Sequence, residues 1–422
     1  MPFINSRLRF NQAAFYLTFG SAVSIVFSIA VSQILMGLAV VALLMSGDKF
    51  RLPPIKLPLA LFIALTIIAV LASGDPRAGS PQIRKFFVFL ILLLVCSTFR
   101  TLNQIRALVL LWSAGGLVSA ALAILQFLHK YRESIQMKDN SYTFYISYRI
   151  TGLASHWMTF SGQVMIVMLM LAAFLCFAPD RKWKPYGWAA LGVMALGIVL
   201  SFTRSVFLFA APLGLAWLAW NWKRRLLLIA PVAALLVFVT SPPLLQQRVL
   251  SVFEPKGPLD SNQFRAVCRA TGWQMIKAHP LLGLGPEEIA PHFDQYIPKD
   301  TPRPLPAGWY GHLHNVYLQY AAERGIPALL VMLWLIGKVL YDFARALRRP
   351  ENAAAKWVLQ GAIAVILAVL AEGFFEYNLG DSEVLTLFLV TVGCGYVAIN
   401  TGTYPVYTAP QPQPQYSQPA AV

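Results

Sequence analysis

Apolar residues gather along this chain in long blocks, separated by short polar turns that are mostly basic. Several blocks reach the roughly 17–25 residues that a helix needs to cross a bilayer. Spans are expected near 12–29, 31–46, 57–73, 86–98, 106–128 and 158–178, then near 187–200, 206–221, 226–241, 326–343, 357–374 and 383–400. The block from Gln12 to Leu44 is too long for one crossing, and Ser24, Ser28 and Ser32 mark its turn. The pattern predicts an all-α integral membrane protein of about 12 transmembrane helices, with a large external loop that contains short helices.

Sidedness follows from the short loops. With the N-terminus inside, the inward turns hold Lys49, Arg51 and Lys56, then Arg100 and Arg106, then Arg181, Lys182 and Lys184. Lys223, Arg224 and Arg225 follow, and then Arg345, Arg348, Arg349 and Lys356, so every inward turn is basic and both termini are expected in the cytoplasm. Two long polar segments, 129–157 and 242–313, then lie outside. The expected organisation is nine helices with the first external loop over 1–241, an external catalytic loop region over 242–325 and three helices over 326–400. Residues 401–422 form a Pro- and Gln-rich tail that cannot bury a core and is expected to be disordered. No internal repeat at a solenoid period is visible.

Composition narrows the classes. Hydrophobic residues make up 57% of the 422 and charged ones 12%, against about 25% charged in soluble globular chains. An ordinary cytosolic enzyme and a disordered chain are both excluded. The net charge is +16; membrane lipids are an expected partner and nucleic acid is not. Cys96, Cys176 and Cys394 lie in apolar blocks and Cys268 in a polar stretch, a pattern that predicts no disulfide framework. Ionisable residues near span centres are scarce, which places the chemistry on the external face rather than along a midplane relay.

Two external stretches carry that chemistry. In the first, Ser261 or Asn262 is suited to capping a helix in which Phe264, Val267, Cys268, Thr271 and Met275 share one face. Arg265, Arg269 and Lys277 fall on another, and His279-Pro280 with Gly283 and Gly285 ends the helix. Guanidiniums one turn apart suit a phosphate or diphosphate; the plainer alternative is a solvated basic face. In the second, Gly311-His312-Leu313-His314-Asn315, Asn315 is an N-cap, Gly325 the residue after the helix and Pro327 the start of the next. His314 then sits just before a helix N-terminus, where an imidazole suits a general base and an anion is favoured nearby.

His312 and His314 are spaced as metal ligands can be. Zinc would need a third protein ligand, and the one acidic-x-acidic pair is Asp381-Ser382-Glu383 on another loop, so no metal and no cofactor are expected. Arg204 lies in Leu200-Ser201-Phe202-Thr203-Arg204-Ser205, a connection so short that its side chain must face headgroups or a polar cavity. Arg84 and Lys85 open a span and either bind substrate or snorkel to headgroups. His156, beside Trp157 at a span start, is expected at the interface rather than in catalysis.

Thr203-Arg204-Ser205 between spans, Arg265 ahead of His279-Pro-Leu-Leu-Gly-Leu-Gly-Pro286, and Gly311-His-Leu-His314-Asn315 before a helix ending at Gly325 together resemble the O-antigen ligase family. Where family members often carry Trp four residues after the helix arginine, this chain has Arg269. The resemblance implies an inner-membrane enzyme of Gram-negative bacteria. Such an enzyme moves O-antigen glycan from undecaprenyl diphosphate to a sugar hydroxyl of the lipid A–core oligosaccharide, on the periplasmic side, inverting and without metal. It implies His314 as the catalytic base, with Arg265 and Arg204 essential. Arg269, Arg84, His312, Asn315 and Tyr317 are expected to assist in binding substrate. An O-antigen polymerase and a protein O-oligosaccharyltransferase share the donor and differ in acceptor; a lipid-linked-glycan flippase is the alternative that makes no product.

Overall fold

In the computed structural model, residues 2–137, 141–179, 184–253 and 261–401 are described. Among them the secondary structure is helical, without strands. The expected positions at Arg181, Lys182 and the 402–422 tail lie outside the described residues. The main helices are α1 (Pro2–Ser24), α2 (Ile29–Ser46), α3 (Lys56–Ala72), α4 (Ser80–Thr98), α5 (Leu102–Gln136), α6 (Trp157–Phe177) and α7 (Lys184–Leu200). They continue as α8 (Ser205–Trp222), α9 (Leu226–Thr240), α10 (Pro243–Leu250), α11 (Ser261–Ala278), α12 (Val316–Leu347), α13 (Lys356–Glu372) and α14 (Ser382–Thr401).

Each of the twelve expected spans falls on one of these helices. Eight of the twelve are long and apolar enough to cross a membrane by length and composition, α3, α7 and α9 are shorter apolar helices, and α1 falls in neither group. The protein is a multi-pass membrane protein. Ser28 caps α2 by accepting from the Val31 amide, and Gly47, at φ 71°, ends it. Thr101 and Gln104 form a reciprocal capping box at the start of α5.

The centre of the bundle is α6, α13 and α14, which bury most of their length. Small residues allow that closeness: a Cβ on Gly361 would lie 2.8 Å from Met170 Sδ, and one on Gly214 would lie 3.0 Å from the Ala364 carbonyl. At the other extreme, α9 buries none of its side chains.

The feature that positions the site is the break in α12. Gly325 has φ 81° and ψ 166°, a region open essentially to glycine alone, and a Cβ there would come within 2.0 Å of the Leu281 carbonyl oxygen. The break frees the carbonyls of Ala322 and Glu323, which accept from the amides of Leu284 and Gly285 at 2.8 and 3.0 Å. Ile326 N–H donates in turn to Pro280 O at 2.8 Å. The His279-to-Pro286 loop is therefore the segment that satisfies the helix break, and it fastens the end of α11 against α12.

Candidate functional site

The end of α13, the starts of α4, α6, α8, α12 and α14, and helix α11 converge at one end of the bundle. Asn315 begins the assembly. Its side chain accepts from the amides of Tyr317 and Leu318, as an N-cap should, and its Nδ2 donates to Phe374 O at 3.0 Å. With Val316 N–H donating to Gly373 O at 2.8 Å, this ties the start of α12 to the turn after α13. His314 precedes the cap at φ 49°, in the left-handed region. It is held there by its amide donating to His312 Nδ1 and by Leu313 N–H donating to Gln319 Oε1.

The tie brings His314 against Glu376, which the sequence reading did not select. His314 Nδ1 lies 2.9 Å from Glu376 Oε1, and Arg265 Nη2 donates to Glu376 Oε2 at 3.0 Å. Phe264, the neighbour of Arg265 on α11, packs edge-on to the imidazole at 4.9 Å. Glu376 is buried, which alone would raise its pKa. The charge and hydrogen bond of His314, then Arg265 and His312, outweigh this and hold the carboxyl well below the usual carboxylate range. An ionised carboxylate accepts, so the neutral form of His314 carries its proton on Nδ1 and leaves the Nε2 lone pair open. Nε2 is buried and has no hydrogen-bond partner.

His312 differs in kind. Its Nδ1 accepts from the His314 amide, so its Nε2 carries the proton and is not a base. Burial, then the neighbouring His314, lower its pKa from 6.5 to about 4. Between those values the unfolded chain takes up a proton that the folded one refuses. Stability is therefore complete above about pH 6.5 and declines as pH falls toward 4. The thermal midpoint is expected to fall between pH 7 and 5, and less steeply in His312→Asn, whose side-chain oxygen can still accept from the His314 amide. Differential scanning across that range checks it.

Arg204 is buried, donating to Ser251 Oγ at 2.9 Å and to Ser261 Oγ and Asn262 Oδ1 at 2.6 and 2.8 Å. It faces the polar interior rather than headgroups, and a π-turn over Ser205–Ala210 follows it. Two further arginines come to the same place unforeseen. Arg248 donates to Phe202 O, and Arg149 lies 4.2 Å from the Trp157 ring. Burial, then the nearby Arg248, Arg265 and Arg204, lower the proton affinity of Arg149 far below the ordinary guanidinium value. Guanidiniums from four separate segments thus converge around Arg149, and one of them, Arg265, is paired with Glu376.

Other expected residues stand apart. Arg269 is exposed one turn beyond Arg265, and Lys277 packs over Trp273. Arg84 is exposed on an outer depression, whereas its neighbour Lys85 reaches the cavity beside His312. Tyr317 donates to Leu370 O and packs at a tilt against Phe374, and Asn315 is the cap; both act on the backbone. His156, expected at the interface, caps α6 through Nδ1 and also lines the cavity.

His312, His314 and Glu376 place one donor atom each within 4.8 Å of the others, so the third ligand that a metal would need is available. Glu376, however, is already shared between an imidazole N–H and a guanidinium. A divalent ion would be set beside Arg265, and the arrangement fits a hydrogen-bonded relay better than a metal cage.

No match is found among curated proteins. A family model described as O-antigen ligase matches residues 189–333, the segment that carries Arg204, Arg265 and His314. Glu376 and Arg149 lie outside it. The segment that builds half of the site, residues 189–333 of the 422, is thus similar to the O-antigen ligase family.

Proposed function

We propose that this protein is an O-antigen ligase. It transfers a glycan from undecaprenyl diphosphate to a sugar hydroxyl of the lipid A–core oligosaccharide, with inversion and without metal. The site then faces the periplasm of the bacterial inner membrane, because the basic turns that mark a cytoplasmic face belong to the opposite helix ends. The observation that carries the reading is His314: Nδ1 held by Glu376, Nε2 buried and unpartnered beside a cluster of arginines.

In the proposed reaction His314 Nε2 takes the proton of the acceptor hydroxyl. That oxygen attacks the anomeric carbon from the side opposite the diphosphate, and the bond to the diphosphate oxygen breaks with its electron pair on the leaving group. One in-line displacement inverts the anomeric centre. Arg265 and Arg204, with Arg149 and Arg248, neutralise the leaving oxyanions, and an anion among them relieves the repulsion that burdens Arg149. Glu376 stabilises the imidazolium that forms. A polyprenyl chain has a path as well: an apolar groove of about 640 Å³ begins at Phe207 and Leu208, about one turn beyond Arg204, and runs along α8 to Trp222.

The test uses purified protein in detergent with lipid-linked O-antigen, rough lipopolysaccharide and a chelator, and no nucleotide. A ladder of modified lipopolysaccharide is expected. Lengthening of the donor glycan with the acceptor unchanged identifies a polymerase, and restoration of the ladder only by added divalent metal overturns metal independence.

A further inference from the structure

We propose that the cavity beside the His314–Glu376 pair is the acceptor's sugar subsite, and that it selects an uncharged or amine-bearing sugar against a phosphorylated one. This rests on the glycosyl-transfer reading of the site. The cavity holds about 300 Å³, at the lower end of small-molecule sites, and its wall includes Glu376 and His312. The His312 ring lies 3.9 Å from that of His314, so a sugar seated there is one imidazole away from the proposed base.

The chemistry of the wall is opposite to that of the arginine cluster. Five carboxylates line it, and two of them are matched: Glu376 by Arg265, and Glu323 by Arg324. Glu287 and Asp381 remain, with Lys85, which donates to Gly380 O, as the one lysine or arginine of the lining; Glu372 is buried and adds no open charge. Asp381 is fixed by Thr159 and by the amides of Glu383 and Val384, and Glu372 accepts from Asn378. The arginines act on one another around Arg149 and none lines this cavity, so guanidiniums would serve the leaving diphosphate and carboxylates the entering hydroxyl. Carboxylates accept from sugar hydroxyls and attract an ammonium, but repel a phosphate. Trp309, 69% exposed and lining the cavity edge-on to His312, offers a flat apolar surface of the kind a sugar ring covers.

Saturation-transfer NMR on the full-length protein in detergent tests this without turnover, using methyl glucoside, methyl glucosaminide and methyl glucoside 6-phosphate. The first two are expected to bind at least tenfold more tightly than the phosphate. Glu287→Gln and Trp309→Ala are expected to weaken methyl glucoside several-fold. Asp381→Asn retains the helix cap and weakens the glucosaminide most. Glu287→Lys narrows or reverses the discrimination against phosphate. Equal binding of all three sugars, or variants that bind as wild type does, overturns the subsite. If instead the sugars bind as described and wild type makes no transfer product with donor and lipopolysaccharide, the ligase reading fails and the sugar subsite stands.

Discussion

Replacement of His314 by alanine is expected to lower transfer about 10²–10⁴-fold, the usual contribution of a positioned general base. The loss falls on the chemical step, because the arginines that hold the diphosphate come from other segments and remain in place. Arg265 keeps Glu376 as its partner, so no buried charge is stranded. The position has φ 49°, which Asn tolerates better than Ala, so His314→Asn separates loss of the base from disturbance of the turn. Both variants should retain lipid-linked donor binding and a near-normal thermal midpoint while kcat falls. A lipopolysaccharide ladder formed by either variant at the wild-type rate removes the catalytic role of His314. If neither wild type nor variant makes product, while both move lipid-linked glycan across a vesicle bilayer, the protein is a flippase.

Glu376→Gln is expected to reduce kcat by a similar factor, about 10²–10⁴, for a different reason. Glu376 touches no reacting atom and is a positioning residue. A glutamine amide can donate to Nδ1 and so drive the imidazole proton onto Nε2, which turns the proposed base into a donor. It also withdraws the carboxylate that would stabilise the imidazolium and leaves Arg265 unpaired in a mostly buried setting, so some loss of thermal stability accompanies it. Glu376→Asp separates the two effects. The charge remains but is withdrawn by one methylene, so stability should recover largely and kcat only partly. If Glu376→Asp and Glu376→Gln lose activity only in proportion to the folded fraction, Glu376 is structural and the relay is wrong.

Much of the local architecture was legible in the chain. Asn315 as a cap, Gly325 as the break, Pro327 beyond it and the apolar face of α11 were all read from neighbouring residues. Capping and periodicity are local physics, set within one or two turns. The same locality explains the misses. Glu376 stands 62 residues from His314, in Phe374-Phe375-Glu376-Tyr377, with nothing nearby to mark it; its proximity to Glu372 at a span end was the available signal. Arg149 was one basic residue in a polar loop. Arg269 looked equivalent to Arg265 because helical spacing gives a face but does not say which partner meets it.

By itself the sequence determined a helical membrane protein, the positions of its apolar helices, the breaks and caps, and a shortlist containing His314, Arg265 and Arg204. Apolar block length and turn chemistry act through the adjacent chain, so they leave a readable trace. Only the tertiary structure decided which charges meet. The packing of α12 against the turn after α13 joined His314 to Glu376, and the placement of α11 gave Glu376 to Arg265 rather than Arg269. The arginines grouped about Arg149 and the carboxylates that line the cavity beside His312 likewise come from segments far apart in the chain. Coulomb interactions depend on distance in space and are indifferent to distance along the chain, and helix packing sets the former.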